Sequence, residues 1–169
     1  DHYGTMENLK DTFVAFANRV PFYGTVIVCA DDATAMSITP KLKRSYITYG
    51  FAPAADVKAL DLKHENGKSL FTLAWSGKPL GEITLNVPGR HNAVNSLAAA
   101  AVGLKLGISF AKIKTALSYF TGVQRRFETL GTCRGALVVD DYGHHPTEIE
   151  ATLEAAGNVT KGELIVIFQ

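Results

Sequence analysis

The chain has 169 residues, of which 47% are hydrophobic, and its formal net charge is +1 at pH 7. This length and apolar content can bury a sizeable core, in one domain or in parts of two. The near-neutral charge gives no field for capturing nucleic acid or a membrane surface, so we expect neither as a partner. No apolar run reaches membrane-spanning length, no signal-peptide pattern opens the chain, and the two cysteines lack metal-ligand spacing. These features favour a soluble protein of the reducing cytoplasm.

The first fifty residues predict an α/β arrangement. Apolar side chains repeat at helical spacing in residues 9–20, with Thr5 as a candidate N-cap, and Pro21 ends this helix. Residues 25–29 then predict a buried parallel strand, and residues 46–49 predict a second, shorter one.

The pattern changes to antiparallel strands in the next part of the chain. Residues 57–63, 70–75 and 83–87 each predict a short strand. The segments between them, residues 65–68 and 76–79, have the Asn-Gly and Ser-Gly chemistry of hairpin turns.

One of these turns contains Gly67-Lys68-Ser69, which is also the end of a phosphate-binding loop motif. That motif requires a glycine at position 62, where this chain has leucine. Asn66-Gly67 is in addition the strongest short hairpin signal, and we therefore predict a hairpin here.

Helices return after the hairpins. Residues 92–106 predict an alanine-rich helix that can approach a sheet closely, and residues 110–120 predict a second helix. The glycine-containing break that follows is our predicted domain boundary, which divides the chain into residues 1–124 and 125–169.

The last part of the chain predicts a strand, a helix and a strand, in residues 136–139, 147–156 and 164–168. This order is typical of a right-handed βαβ unit, the nucleus of a parallel sheet. The chain begins at Asp1 without a strand before its first helix and ends at Gln169 without a closing helix. We therefore expect a segment of a longer polypeptide.

Polar side chains follow the strand at residues 136–139, where open α/β sheets bind ligands. They comprise two carboxylates, a phenol and two imidazoles: Asp140, Asp141, Tyr142, His144 and His145. The alternative is a polar turn that leads into a helix starting at Pro146.

Two further segments carry candidate ligand contacts. Asn92 and Asn95 are three residues apart, so both can point from the first turn of a helix at one adenine ring. The alternative is that Asn92 caps the helix and Asn95 is merely exposed. Arg125 and Arg126 follow a glycine and either grip a phosphate or ribose or lie in a solvated loop.

Six segments together resemble one known family. They are Asp1-His2-Tyr3-Gly4, Pro21-Phe22-Tyr23-Gly24, Ile47-Thr48-Tyr49-Gly50-Phe51, Val87-Pro88-Gly89-Arg90-His91-Asn92, Gly122-Val123-Gln124-Arg125-Arg126-Phe127-Glu128 and Val139-Asp140-Asp141-Tyr142-Gly143-His144-His145-Pro146-Thr147-Glu148. In order and content they resemble the Mur ligases across nearly the whole chain, and the last segment is most similar to the alanine-adding branch of that family.

The resemblance implies a fold and an activity. The chain would hold part of the central ATPase domain, with its antiparallel hairpin region, and the start of a Rossmann-like C-terminal domain. The whole enzyme would be a cytoplasmic ligase of peptidoglycan precursor synthesis, and thus of cell wall biogenesis, cell shape and cell division. ATP would phosphorylate the carboxylate of UDP-N-acetylmuramate, and the amine of L-alanine would attack the acyl phosphate.

The resemblance also implies residue roles. Asn92 and Asn95 would hold the adenine of ATP, Arg126 would contact the nucleotide across the hinge, and Asp141 would bind the ribose. A planar guanidinium suits a phosphate and a strand-end carboxylate suits ribose hydroxyls, which agrees with this assignment.

The catalytic positions implied by the family are Tyr142 and His144, which would face the junction of acyl phosphate and amino acid. His91 and His145 are expected to be structural or to support the groups that touch the ligand. The Mg²⁺ of the family would be held by ligands outside this chain, which also lacks a phosphate-loop motif. We therefore expect the chain alone to be inactive.

Two alternatives remain open at this point. One is a related ligase of the folylpolyglutamate synthetase type, against which the Asp-Asp-Tyr-Gly-His-His segment argues. The other is a non-catalytic module that only binds a nucleotide. The sequence gives no indication of the oligomeric state.

Overall fold

A computed structural model of the chain describes residues 3–160 and 162–168. The helices are α1 (Met6–Ala17), α2 (Ala33–Ile38), α3 (Arg90–Lys105), α4 (Phe110–Tyr119) and α5 (Pro146–Val159), with a 3-10 turn at Thr39–Lys41. The strands are β1 (Thr25–Cys29), β2 (Ser45–Gly50), β3 (Val57–Glu65), β4 (Lys68–Trp75), β5 (Lys78–Leu85), β6 (Glu128–Cys133) and β7 (Ala136–Asp140). The interpretations that involve Asp1, His2 and Gln169 fall outside these residues.

The two strand patterns of the sequence form one continuous mixed sheet in the order β1-β2-β3-β4-β5. β1, β2 and β3 are parallel, whereas β4 and β5 add to β3 as antiparallel hairpins. The predicted parallel opening and antiparallel continuation are both confirmed, and the α/β fold class with them. The sequence patterns did not reveal that β2 and β3 pair, since this pairing joins only two residues of each strand.

Capping and turn residues that the sequence analysis identified lie at the ends of the corresponding helices and strands. Thr5 caps α1 through a hydrogen bond from the backbone N–H of Asn8 to its hydroxyl, as predicted. Asn66 and Gly67 both have positive φ, 51° and 73°, as a two-residue type I′ hairpin requires. The Gly67-Lys68-Ser69 sequence therefore lies in a hairpin and not in a phosphate-binding loop.

The core lies between the sheet and α3. Alternate residues of β3, β4 and β5 point to the face of the sheet that α3 and α4 cover, and α3 presents mainly small side chains to it. The cluster comprises Val57, Ala59, Phe71, Leu73, Ile83, Leu85, Val87, Ala93, Leu97, Ala100, Ala101 and Ile113. Because alanine occupies three of the four α3 positions in this cluster, the helix axis can approach the strands closely. Within the described part of the chain, no helix is long and apolar enough to cross a membrane.

The predicted βαβ unit is wrong. β7 pairs antiparallel with β6, a strand that the sequence analysis missed, and residues 162–168 form no strand. The apolar run in residues 164–168 predicted a buried strand, but its side chains are 45–94% exposed. A strand requires a hydrogen-bonded neighbour as well as β-forming residues, and no described strand pairs with this run.

Leu97 is the central large side chain of α3 in the core and is fully buried. Truncation to alanine removes its contacts with the sheet and leaves a cavity that the alanine-rich helix cannot fill. We expect Leu97→Ala to lower the free energy of unfolding by about 2–5 kcal/mol in urea titrations. Val102→Ala on the same helix is the matched control, since Val102 is 46% exposed and should change stability little. Equal losses in the two variants would contradict this packing.

Candidate functional site

A cavity of about 660 Å³ lies where α3, the loop after α4, the end of β7 and α5 meet. It brings together four predicted ligand contacts from three separate sequence segments, namely Asn92, Asn95, Arg126 and Asp141. Its other walls are mostly apolar or small, and they comprise Val87, Ser96, Ala99, Leu117, Phe120, Gly122, Val123 and Ala151. Apolar walls with a few convergent polar groups are typical of small-molecule sites.

The two asparagines stand on the first turns of α3, but they differ in how their side chains are engaged. Asn92 donates its amide N–H to the carbonyl of Pro88 at 2.7 Å, and its side-chain oxygen makes no hydrogen bond to a described residue. Asn95 is exposed and has no hydrogen-bond partner among the described residues. Asn92 is not the helix cap, because α3 begins two residues earlier, with Gly89 in the N-cap position.

Asp141 holds the loop at the end of β7. One carboxylate oxygen accepts a hydrogen bond from the backbone N–H of Phe127 at 2.8 Å, and the other accepts one from Gly143 at 2.6 Å. The carboxylate thus ties the segment that precedes β6 to the segment that follows β7, and it also lines the cavity. Each oxygen retains a further lone pair for a ligand hydroxyl.

Arg126 reaches the cavity from the loop before β6. Both terminal nitrogens of its guanidinium lie 3.3 Å from one carboxylate oxygen of Glu148, the third residue of α5. The neighbouring Arg125 is engaged elsewhere, since its Nε donates to Asp140 at 3.3 Å and its guanidinium lies 4.6 Å from the ring centroid of Tyr142. Of the two adjacent arginines, only Arg126 lines the cavity.

Tyr142 and His144, the two predicted catalytic residues, do not line this cavity. Their rings contact each other edge-on at 5.7 Å, and the side chain of His144 is 75% exposed. The Nδ1 atom of His144 lies 3.3 Å from the carbonyl oxygen of Tyr142. Both residues lie on the loop between β7 and α5, and their assignment to catalysis stays a prediction.

His145 has a structural position, as the sequence analysis expected. It is the N-cap residue of α5, and its ring nitrogen accepts a hydrogen bond from the backbone N–H of Thr147 at 3.4 Å. Glu148 completes the capping box, because its second carboxylate oxygen accepts the backbone N–H groups of His144 and His145. These hydrogen bonds, with the charge of Arg126, lower the pKa of the Glu148 carboxyl.

His91 lines the cavity beneath the predicted nucleotide contacts and is half-buried. Its ring packs on Gly89, where an added Cβ would lie 2.7 Å from Cε1 of the ring and 3.2 Å from Cβ of Ala155. Gly89 also has a φ of 98°, so no other residue fits this junction of α3 and α5 without strain. Burial lowers the pKa of His91, the charge of Arg126 acts in the same direction, and Asp141 and Glu154 oppose it.

Some lining residues were not identified from the sequence. They come from one face of α5, and they are Thr147, Glu148, Ala151 and Thr152. Residues three and four apart on a helix share a face. Had the sequence shown that the start of α5 borders the cavity, this spacing would have indicated these residues. Among the described residues, no three His, Cys, Asp or Glu side chains are grouped in a way that could hold a metal ion.

Two family models match the chain. The Mur ligase middle domain matches residues 1–103, and the glutamate ligase domain of the Mur ligases matches residues 125–169. The first match covers more than half of the chain. Both family models agree with the resemblance drawn from the sequence motifs.

Individual relatives are similar over the same length. The UDP-N-acetylmuramate–L-alanine ligase of Geotalea daltonii is 44% identical over 100% of the chain, which spans 37% of that relative. The crystal structure of UDP-N-acetylmuramate–alanine ligase from Thermotoga maritima has a TM-score of 0.81 at 26% identity, over 96% of the chain and 36% of that structure. MurF ligase from Thermotoga maritima in complex with ADP has a TM-score of 0.76 at 20% identity, over 92% of the chain and 35% of that structure. The chain thus spans little more than a third of the proteins that it matches.

The lowered pKa of His91 makes the stability of this junction depend on pH. Above the ordinary histidine pKa of 6.5, the ring is neutral in both the folded and the unfolded chain. As the pH falls below 6.5, the unfolded chain takes up this proton first, and stability declines until the pKa of the folded state is passed, by at most about 1.4 kcal/mol per pH unit. We expect His91→Gln to remove this component from urea titrations between pH 7 and pH 5. The exposed His144→Gln is the control, and an unchanged slope in His91→Gln would contradict the expectation.

Proposed function

Since the chain belongs to the Mur ligase family, we propose that it is part of an ATP-dependent ligase that joins L-alanine to UDP-N-acetylmuramate. The observation that carries this proposal is the cavity that gathers Asn92, Asn95, Arg126 and Asp141 from three segments of the sequence. The alanine-adding name of the relatives that match the whole chain supports the choice of substrates.

The cavity suits the nucleoside part of ATP. An adenine ring offers hydrogen-bond donors and acceptors on its edge and two apolar faces, which match two carboxamides and the apolar walls. Asp141 is well placed for a ribose, because its two backbone hydrogen bonds fix the carboxylate before the ligand arrives. ADP in the structurally similar MurF ligase supports a nucleotide in this fold.

Arg126 is the cationic group of the site. Its guanidinium is half-exposed, points into the cavity and can donate to phosphate oxygens in a planar, paired arrangement. It would stabilise the negative charge of the nucleotide, and its position on the loop before β6 would make this contact sensitive to how the two parts of the chain are oriented. Mg²⁺ would supply further charge neutralisation, but the described residues offer no group of ligands for it, and we assign it no step.

His144 and Tyr142 are the proposed groups beside the reacting atoms. Both lie on the loop that begins at Asp141, and the His144 ring is accessible to a substrate. An imidazole there could hold or accept a proton of the incoming amine as it attacks the acyl phosphate. The phenol of Tyr142 would orient that imidazole through their edge-on contact.

We also propose that the boundary between the two domains falls between residues 124 and 125. Arg125 and Phe127 have positive φ, 56° and 50°, an irregular backbone that is typical of a connection and not of a packed element. The start of the second family match at residue 125 supports this position. The cavity would then lie between the domains, where ligand sites commonly occur.

The proposed activity also implies a biological role. The enzyme would act in peptidoglycan synthesis, and thus in cell shape and cell division, and it would be located in the cytoplasm.

The proposed activity is tested on the complete ligase that contains this chain. Release of phosphate from ATP is measured with UDP-N-acetylmuramate and one of L-alanine, glycine, L-serine or D-glutamate. We expect the highest kcat/KM with L-alanine and no product without UDP-N-acetylmuramate. A preference for D-glutamate, or activity only with a folate acceptor, would exclude the proposed substrates and favour a related ligase.

The roles of individual residues are separated by steady-state kinetics of the same enzyme. Asn95→Ala should raise the KM for ATP about five- to a hundredfold with little change in kcat, because an adenine contact stabilises ground and transition states alike. Asp141→Ala should raise the same KM and also lower the melting temperature, since Asp141 holds two backbone N–H groups.

His144→Ala should instead lower kcat, by roughly ten- to a thousandfold, as for a positioned acid–base group. The His144 side chain is 75% exposed, so its contacts with Tyr142 and Glu148 are solvated and this variant should melt close to the wild type. Thermal melts of all three variants accompany the kinetics. A loss of activity that only follows a loss of stability would contradict the assigned roles.

A further inference from the structure

Glu148 is the lining residue whose contacts point to a function beyond the proposed site. Resting on the proposed function, which makes Arg126 a nucleotide contact, we propose that Glu148 is a positioning residue that holds the Arg126 guanidinium toward the nucleotide. Both residues line the same cavity.

The geometry of the pair restrains the arginine. One oxygen, Oε1 of Glu148, accepts from both Nη1 and Nη2 of Arg126, each at 3.3 Å. A single acceptor shared by two donors restrains where the guanidinium lies, and its remaining N–H groups stay available to a nucleotide. The side chains of Arg126 and Glu148 are only 48% and 35% exposed, so they are partly shielded from solvent.

The two oxygens of Glu148 have separate partners. Oε2 lies 3.3 and 3.4 Å from the backbone nitrogens of His144 and His145, as the capping box of α5 requires. The cap therefore needs only Oε2, and the contact with Arg126 is additional to it. Through Oε2, Glu148 also links the arginine to the backbone of the loop that carries His144.

Arg126 needs such a restraint. It lies between two residues with positive φ in a loop, and its long side chain has many accessible rotamers. Arg125, by comparison, is held by Asp140 and the ring of Tyr142 and cannot replace it. The lowered pKa of Glu148 keeps its carboxylate ionised, so that the charge opposite Arg126 persists as the pH falls toward the acid range.

The test is a double-mutant cycle in the complete ligase, with the KM for ATP and kcat as readouts. Glu148→Gln keeps a carbonyl oxygen for the α5 cap but places an amide NH₂, which cannot accept, opposite Arg126. We expect this variant to raise the KM roughly two- to fivefold, in the range of a partly exposed ion pair, with kcat changed less than twofold. Glu150→Gln, the same charge change at an exposed position of α5, is the matched control and should leave the KM unchanged.

The cycle distinguishes positioning from a purely structural role. Arg126→Ala should raise the KM by itself, and adding Glu148→Gln should then have no further effect, because the residue on which Glu148 acts is gone. Loss of the helix cap would instead lower the melting temperature equally in both backgrounds. Glu148→Asp, which keeps the charge but withdraws it by one methylene, should also raise the KM and serves if Glu148→Gln does not fold.

Four results would overturn the inference. An unchanged KM in Glu148→Gln would show that the contact is incidental, and a lower KM would show that Glu148 competes with the nucleotide for Arg126. Additive effects of the two substitutions would show that they act independently. If Arg126→Ala itself leaves the KM unchanged, the nucleotide site of the proposed function fails together with this inference, whereas the first three results leave that site intact.

Discussion

The close packing of α3 on the five-stranded sheet is the constraint on which the candidate site depends. Alanines at the buried positions of this helix let it lie near the strands, and Leu97 fills the space between them. The first turn of α3 then stands at the edge of the core, so Asn92 and Asn95 face the cavity while Ala93 is buried. Gly89 permits the tight entry to the helix, because a side chain there would collide with His91 and Ala155.

A second set of constraints is polar and joins the two parts of the chain. Asp141 bonds to the backbone N–H groups of Phe127 and Gly143, and Glu148 joins Arg126 to the start of α5. These contacts are made by partly exposed polar groups, so they contribute less to stability than the apolar core does.

The hydrogen bonds that each polar group already makes within the protein determine which of its donors and acceptors remain for a ligand. Asn95 is uncommitted among the described residues, whereas Asn92 has one donor bound to Pro88 and Arg125 is bound to Asp140 and Tyr142. Burial lowers the pKa of His91, which disfavours a charged ring in this cavity. The cavity thus presents mainly neutral hydrogen-bonding groups to its ligand, with Arg126 as its cation and Asp141 and Glu148 as its carboxylates.

The sequence by itself determined the family, the α/β class, most helix and strand positions and the four residues that share the cavity, because these depend on local spacing and on motifs. It did not determine the pairing of β2 with β3, the β6–β7 hairpin or the exposed state of residues 164–168, since strand pairing depends on which partner is nearby in space. Only the tertiary structure placed Tyr142 and His144 outside the cavity and brought Glu148 to Arg126, because these outcomes depend on how the loop at the end of β7 and the start of α5 turn relative to each other.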